Sequence, residues 1–200
     1  MALTFKLTES NEFENAPQGQ YVGTIHKIVD KGTQPKIFKG QHTGDARQLL
    51  ISFELTDLTN PSVKTKEGTP YSIATSVNIS SSGRSTFVKI IKSAFGLAEY
   101  ERMLESGEEI KISDLIGKSI FLAVKHNVSG EKTYANVDNQ SISQVQPGVQ
   151  IPELVNEKTF LSLEAEEFKP ELYESLSEKM REIIAKSPEY KACVGKNLSF

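Results

Sequence analysis

Basic side chains are concentrated between residues 24 and 50. This segment holds five Lys or Arg residues against two acids, and one aromatic residue lies among the lysines. Cations along a groove bind phosphate groups, and aromatic rings stack on nucleic-acid bases. The residue types therefore predict a strip that binds a polyanion. Its candidate members are Lys27, Lys31, Lys36, Phe38, Lys39 and Arg47.

Phe38 has two interpretations. It lies in a polar, glycine-rich segment with little core to join, so its ring could stack on a base. The alternative is that Phe38 packs on the end of the fold as a local hydrophobic contact.

A second group of candidates lies between residues 121 and 134. Phe121 falls out of the inward alternation of its strand, so we expect it to point outward, either to stack on a base or to pack beneath the C-terminal segment. Two lysines and a tyrosine follow it at the predicted hairpin. The candidates in this group are Phe121, Lys125, Lys132 and Tyr134.

Catalytic chemistry finds little support in the sequence. The single cysteine, Cys193, has no histidine in its segment, so we do not expect it to act as a nucleophile. The histidines at positions 26, 42 and 126 share no metal-ligand spacing, and no glycine-rich phosphate loop is present. We therefore expect no enzyme activity, no metal and no cofactor.

The overall composition is globular, with 200 residues of which 38% are hydrophobic and 24% charged. No apolar run approaches the ~20 residues of a membrane-spanning helix, and we expect no signal peptide. The net charge of −3 is uneven, because residues 151–200 carry 7 basic and 10 acidic residues whereas residues 1–150 carry 16 of each. This asymmetry fits a basic binding strip followed by an acidic segment.

Hydrophobic periodicity predicts five strands and two short helices in the first three quarters of the chain. The strands are expected at 21–29, 47–57, 70–79, 118–126 and 132–145, and the helices at 84–95 and 98–104. Residues 32–46 contain three glycines and a proline without periodicity, and predict a long loop. The order of three strands, a helix and two strands is that of a five-stranded OB-fold barrel, and other small barrels and α+β sheets share it.

The remaining segments complete a mainly β protein with a C-terminal helical extension. We expect an N-terminal arm over 1–17, the barrel over 18–147 and an acidic extension over 148–200. Residues 146–167 are typical of a linker, and one amphipathic helix is predicted from Pro170 to about Lys186. Its apolar side must be buried on the barrel or on another subunit.

Short motifs in a fixed order add a family resemblance over residues 18–146. They are Gly19-Gln20-Tyr21-Val22-Gly23-Thr24-Ile25, Val29-Asp30-Lys31-Gly32-Thr33-Gln34, Ile51-Ser52-Phe53-Glu54-Leu55, Asp114-Leu115-Ile116-Gly117-Lys118 and Tyr134-Ala135-Asn136-Val137. The series resembles bacteriophage-encoded single-stranded DNA-binding proteins of OB fold, with a weaker echo at Ser187-Pro188-Glu189-Tyr190-Lys191.

The resemblance implies a protein that coats single-stranded DNA with little sequence preference during phage replication, recombination or repair. It also implies the bacterial host cytoplasm as location, and phage replication or recombination proteins as partners. The chain departs from many single-stranded DNA-binding proteins at its end, where Phe200 lacks the preceding acids that recruit partners. The alternative is a non-enzymatic phage adaptor barrel whose extension docks on another protein. The oligomeric state is left open, with a homo-oligomer as one possibility.

Overall fold

A 20-residue strand, β1 (Gly19–Phe38), is the centre of the fold. The computed structural model describes residues 14–57, 59–60 and 64–197. Most of the predicted N-terminal arm, residues 1–13, lies outside this range. Glycine allows β1 to pass close to its neighbours, because a Cβ at Gly23 would lie 2.6 Å from a methyl carbon of Leu122.

Five strands form an antiparallel sheet in the order β3–β2–β1–β4–β5. The four besides β1 are β2 (Gln41–Thr56), β3 (Ser72–Asn78), β4 (Ser119–Ser129) and β5 (Lys132–Gln144). A three-residue strand, β6 (Thr159–Leu161), lies parallel to residues 27–29 of β1. The prediction of a mainly β protein with a helix after the third strand is confirmed.

The sheet is open, with β3 and β5 at its two edges, so the closed five-stranded barrel of the sequence prediction is not shown. The ladder partners of β3 all belong to β2, and those of β5 belong to β4. Helix α1 (Thr86–Phe95) packs against β3, β4 and β5, and thereby covers the core beside both edges.

The core forms because apolar residues alternate along the strands. On β2, Leu49, Ile51, Phe53 and Leu55 are buried together, as the sequence predicts. Tyr21 of β1 and the Ile90 side chain of α1 join the same cluster. The side chains that do not belong to this core therefore lie on the opposite face of the sheet.

Two helices follow β3 as predicted. The Ser85 hydroxyl caps α1 by accepting a hydrogen bond from the Val88 N–H at 3.1 Å. Gly96 ends the helix at a φ of +87°, and α2 (Leu97–Ser106) follows directly. A short 3-10 helix at Ile112–Leu115 then leads into β4.

The predicted loop over 32–46 is wrong, because these residues continue β1 and β2 into a long hairpin. Its ladder runs to the pair Phe38 and Gln41, with irregularities after Asp30 and Pro35. Glycines in the left-handed region supply the turn and the bulged positions. The lysines of this hairpin therefore lie on two hydrogen-bonded strands and their turn, not in an irregular loop.

The extension after β5 folds onto β1 and β2, and the segment predicted as a linker contains β6. The single amphipathic helix is also wrong, since α3 (Pro170–Glu174) and α4 (Glu178–Ala185) are separate and α5 (Pro188–Asn197) follows. Its apolar residues form a second cluster with Val29 and the half-buried Leu50. Among the helices of the described residues, none is long and apolar enough to cross a membrane.

Candidate nucleic-acid interface

The outer face of β3 is an open strip of small side chains. Ser72, Ala74, Ser76 and Asn78 are exposed there, while Ile73 and Val77 between them are buried in the core. Strand alternation causes this division. No ring lies on this strip, so it offers hydrogen bonds and access to the backbone but no surface for base stacking.

Two side chains of β1 reach over β2 to this strip. The ammonium of Lys31 donates to the Gln48 side-chain oxygen at 2.9 Å and to the Ser76 hydroxyl at 3.4 Å. His26 lies 2.9 Å from the Ser72 hydroxyl through Nε2. Burial lowers the pKa of both Lys31 and His26. The ammonium of Lys31, a predicted binding residue, thus lies at the edge of the open strip.

A shallow cavity of about 460 Å³ opens where β3 ends and α1 begins. Its lining is made of amides, hydroxyls and one cation, including Gln48, Ser76, Asn78, Ser82, Arg84 and Thr86. No acidic residue belongs to this lining. The cavity adjoins Lys31 because Gln48 and Ser76, which line it, are the two partners of the ammonium.

Arg47 is held inside the protein. Its guanidinium pairs with Asp30 through two nitrogens and with Glu164 at 2.8 Å. The hydrogen bond to the nearly buried Asp30 is the main cause of a raised pKa at Arg47. Arg47 thus joins the β1–β2 hairpin to the extension, and its contact with phosphates stays a prediction.

The far end of the same hairpin is open to solvent. Ile37 is 61% exposed, Lys39 is exposed and Lys36 is half-buried. Lys27 lies farther back on β1, half-buried and opposite Ser52. The predicted stacking side chain of Phe38 lies outside what the structure describes.

The β4–β5 hairpin holds the second group of predicted residues. Tyr134 is 50% exposed and Lys132 is exposed. Lys125 forms an ion pair with Asp138 at 2.6 Å. The half-buried Phe121 lies between the buried Ile120 and Leu122, on the face away from the core, as predicted.

The two hairpins lie at opposite ends of the sheet, because β4 runs antiparallel to β1. The ladder between β2 and β3 ends at Gln48 and Asn78, where the β1–β2 hairpin continues alone. Similarly, β4 passes beyond the start of β1 at the pair Gly19 and Val124. The structure therefore separates the predicted residues into two groups, with the β3 strip lying at the edge of the same sheet.

The extension covers the outer face of the strands next to β3. The carboxylate of Glu54 on β2 accepts the backbone N–H groups of Val155 and Asn156 at 2.7 to 3.1 Å. Leu50, also on β2, packs against the second hydrophobic cluster. The groove over both β2 and β3 that OB folds use would thus be restricted here to the β3 side.

Sequence reasoning identified neither the cavity nor Arg84 as part of a candidate site. The strand alternation gives the exposed residues of β3, but their approach to α1 and Lys31 depends on contacts between distant segments. No family model matches this chain, and no curated protein sequence matches it. Its function is therefore inferred from the geometry.

Proposed function

We propose that the protein binds single-stranded DNA with little sequence preference, coating and protecting it during phage DNA replication, recombination or repair. Phosphates would lie along the β3 strip and the lysines of the β1–β2 hairpin. Bases would stack on the exposed ring of Tyr134 and on the ring of Phe38. The family resemblance of the ordered motifs supports this choice of ligand.

The observation that carries the proposal is the combination of an open polar strip with two protruding hairpins that bear cations and a ring. Single strands need a cationic path and sequence-tolerant stacking surfaces. The described helices offer no basic recognition helix, since α1 directs Phe87, Ile90 and Ile91 into the core. This arrangement favours single strands over the grooves of a duplex.

The packing of the extension weighs against the alternative of an adaptor that docks through it. Its apolar residues already contact Val29 and Leu50 of the same chain. A partner would have to displace these contacts before it could use that surface.

A fluorescence titration of the full chain with labelled oligo-dT and with the matching duplex tests the proposal. We expect tighter binding to the single strand, and a log–log salt dependence of about −0.7 for each phosphate contacted. Oligo-dA should bind within a few fold of oligo-dT if stacking, and not base reading, provides the affinity. Equal affinity for the duplex and the single strand would refute the proposal.

A further inference from the structure

Lys31 is a buried cation without a negative partner. The residue is only 8% exposed, and its ammonium contacts the neutral side chains of Gln48 and Ser76. Within the described part of the chain, no carboxylate oxygen forms an ion pair with it at 4 Å or less. Buried charges in proteins are normally paired, so this charge is suited to an anion supplied from outside.

The cavity next to Lys31 has the chemistry that such an anion requires. Arg84 adds an exposed guanidinium, and within the described residues neither it nor the Asn78 amide has a hydrogen-bond partner. Thr86 lines the cavity at the first turn of α1, where backbone N–H groups lack partners within the helix. Several donors and the Arg84 cation therefore line a space with no acid in its lining, and the Lys31 ammonium lies behind two of the lining residues, Gln48 and Ser76.

We propose that this cavity binds a phosphate group, and, resting on the function proposed above, that the group is a backbone phosphate of the bound single strand. Lys31 supplies a fixed charge at the back, and Arg84 supplies the planar donor pair that matches phosphate oxygens. The cavity lies where the β3 strip meets the base of the β1–β2 hairpin. It would fix one phosphate between the strip and the hairpin lysines.

Two variants of the full chain test the site. Arg84→Gln removes the exposed cation, with Arg102→Gln on α2 as the matched control for loss of one arginine. Asn78→Asp adds a carboxylate beside Lys31, with Gln150→Glu as the control for the same charge change at an exposed position. Oligo-dT affinity is measured across salt concentrations, together with the melting temperature of each protein.

We expect Arg84→Gln to make the salt slope shallower by about 0.7, the loss of one phosphate contact. Asn78→Asp should weaken binding at least tenfold while leaving the melting temperature unchanged, because the new carboxylate repels a phosphate in the cavity but stands at an exposed position. A merely structural role for Asn78 would lower the melting temperature instead. If both variants bind as their controls do, the cavity site is wrong although the single-strand function stands.

Inorganic phosphate separates the two possible sources of the group. At matched ionic strength, phosphate should raise the melting temperature of the wild-type chain above that in chloride, and Asn78→Asp should abolish the shift. If this shift occurs but oligo-dT binds no better than duplex, the cavity is a phosphate site and the proposed function is wrong. A shift that is equal in wild type and Asn78→Asp, or no shift in either, overturns the site.

Discussion

Lys31 and Arg47 are neighbouring cations at the base of one hairpin, yet their surroundings differ. Arg47 meets two carboxylates, Asp30 and Glu164, whereas Lys31 meets an amide and a hydroxyl. A guanidinium paired with two carboxylates stabilises the fold, but the carboxylates neutralise the charge that would attract an anionic ligand. An ammonium held by neutral groups keeps its charge available. Residue type alone does not separate these two roles.

Truncation should affect the ion-paired Arg47 and the hairpin lysine Lys36 differently. Arg47→Ala leaves Asp30 buried without its cation, which should reduce the free energy of unfolding by about 3 kcal/mol. Lys36→Ala, on the same hairpin, should leave stability unchanged and make the salt slope of oligo-dT binding shallower by about 0.7. Urea unfolding and titrations on both variants check this. A stable Arg47→Ala variant with a shallower salt slope would show that Arg47 is a phosphate ligand after all.

Tyr134 provides the clearest test of stacking among the described residues. Because its side chain is half exposed, Tyr134→Ala should weaken oligo-dT binding about fivefold or more, in line with the ~1–3 kcal/mol lost per stacked base. The melting temperature should hardly change. Val128→Ala, on the same hairpin, removes exposed apolar surface without a ring and should bind normally, and Tyr134→Phe should retain the affinity. Equal losses in Tyr134→Ala and Val128→Ala would argue against stacking.

At the scale of elements, the sequence predicts what local patterns determine. The alternation along β2 and the helical spacing of α1 place both elements correctly, and the exposed residues of β3 follow from the same alternation. The hairpin over 32–46 was not predictable by this reasoning, because its glycines resemble loop residues but occupy left-handed positions in a ladder. The burial of Lys31 and the pairing of Arg47 depend on partners far along the chain, which no local pattern contains.

The contact between the β1–β2 hairpin and the helical extension depends on Gly32. Its φ is +67°, and an added Cβ would lie 2.4 Å from the Ser187 side chain. Beside it, the Thr33 N–H and hydroxyl donate to Glu189 at 2.8 and 2.5 Å. Hydrogen bonds from Thr33 oppose the effect of burial and lower the pKa of Glu189, so the carboxylate that joins α5 to the hairpin stays charged.

Gly32→Ala should therefore separate the extension from the hairpin. Gly40→Ala is the matched control, because Gly40 also has a positive φ, +78°, but an added Cβ there meets nothing within 4 Å. Both variants incur the left-handed strain of about 1–2 kcal/mol, so the additional loss in Gly32→Ala measures the clash with Ser187. We expect hydrogen exchange in α5 to accelerate in Gly32→Ala alone. Identical unfolding and hydrogen exchange in the two variants would mean that the Ser187 side chain moves aside without loss of stability.

On the scale of the whole molecule, the extension works as a cover for the sheet. It adds β6 to β1, binds the Glu54 carboxylate through its backbone and buries Val29 in a second cluster. In that cluster, Val29 of the sheet packs with five buried side chains of the extension. Each part therefore needs the other to bury these apolar side chains. The acidic residues of the extension are mostly exposed at its surface.

Removal of residues 151–200 should consequently destabilise the protein. A domain boundary after residue 147, as the sequence predicts, implies an unchanged barrel. The shared cluster instead predicts a lower melting temperature and binding of a hydrophobic dye, because Val29 and Leu50 become exposed. Leu163→Ala in the full chain is a milder test of the same cluster. With the extension still in place, it should lower the free energy of unfolding by about 2–5 kcal/mol. If the shortened chain melts as the full chain does and binds no dye, the extension is an independent unit. If the shortened chain stays folded and binds oligo-dT more tightly, the extension also blocks access of DNA to the outer face of β2. The intact protein would then bind DNA only beside β3.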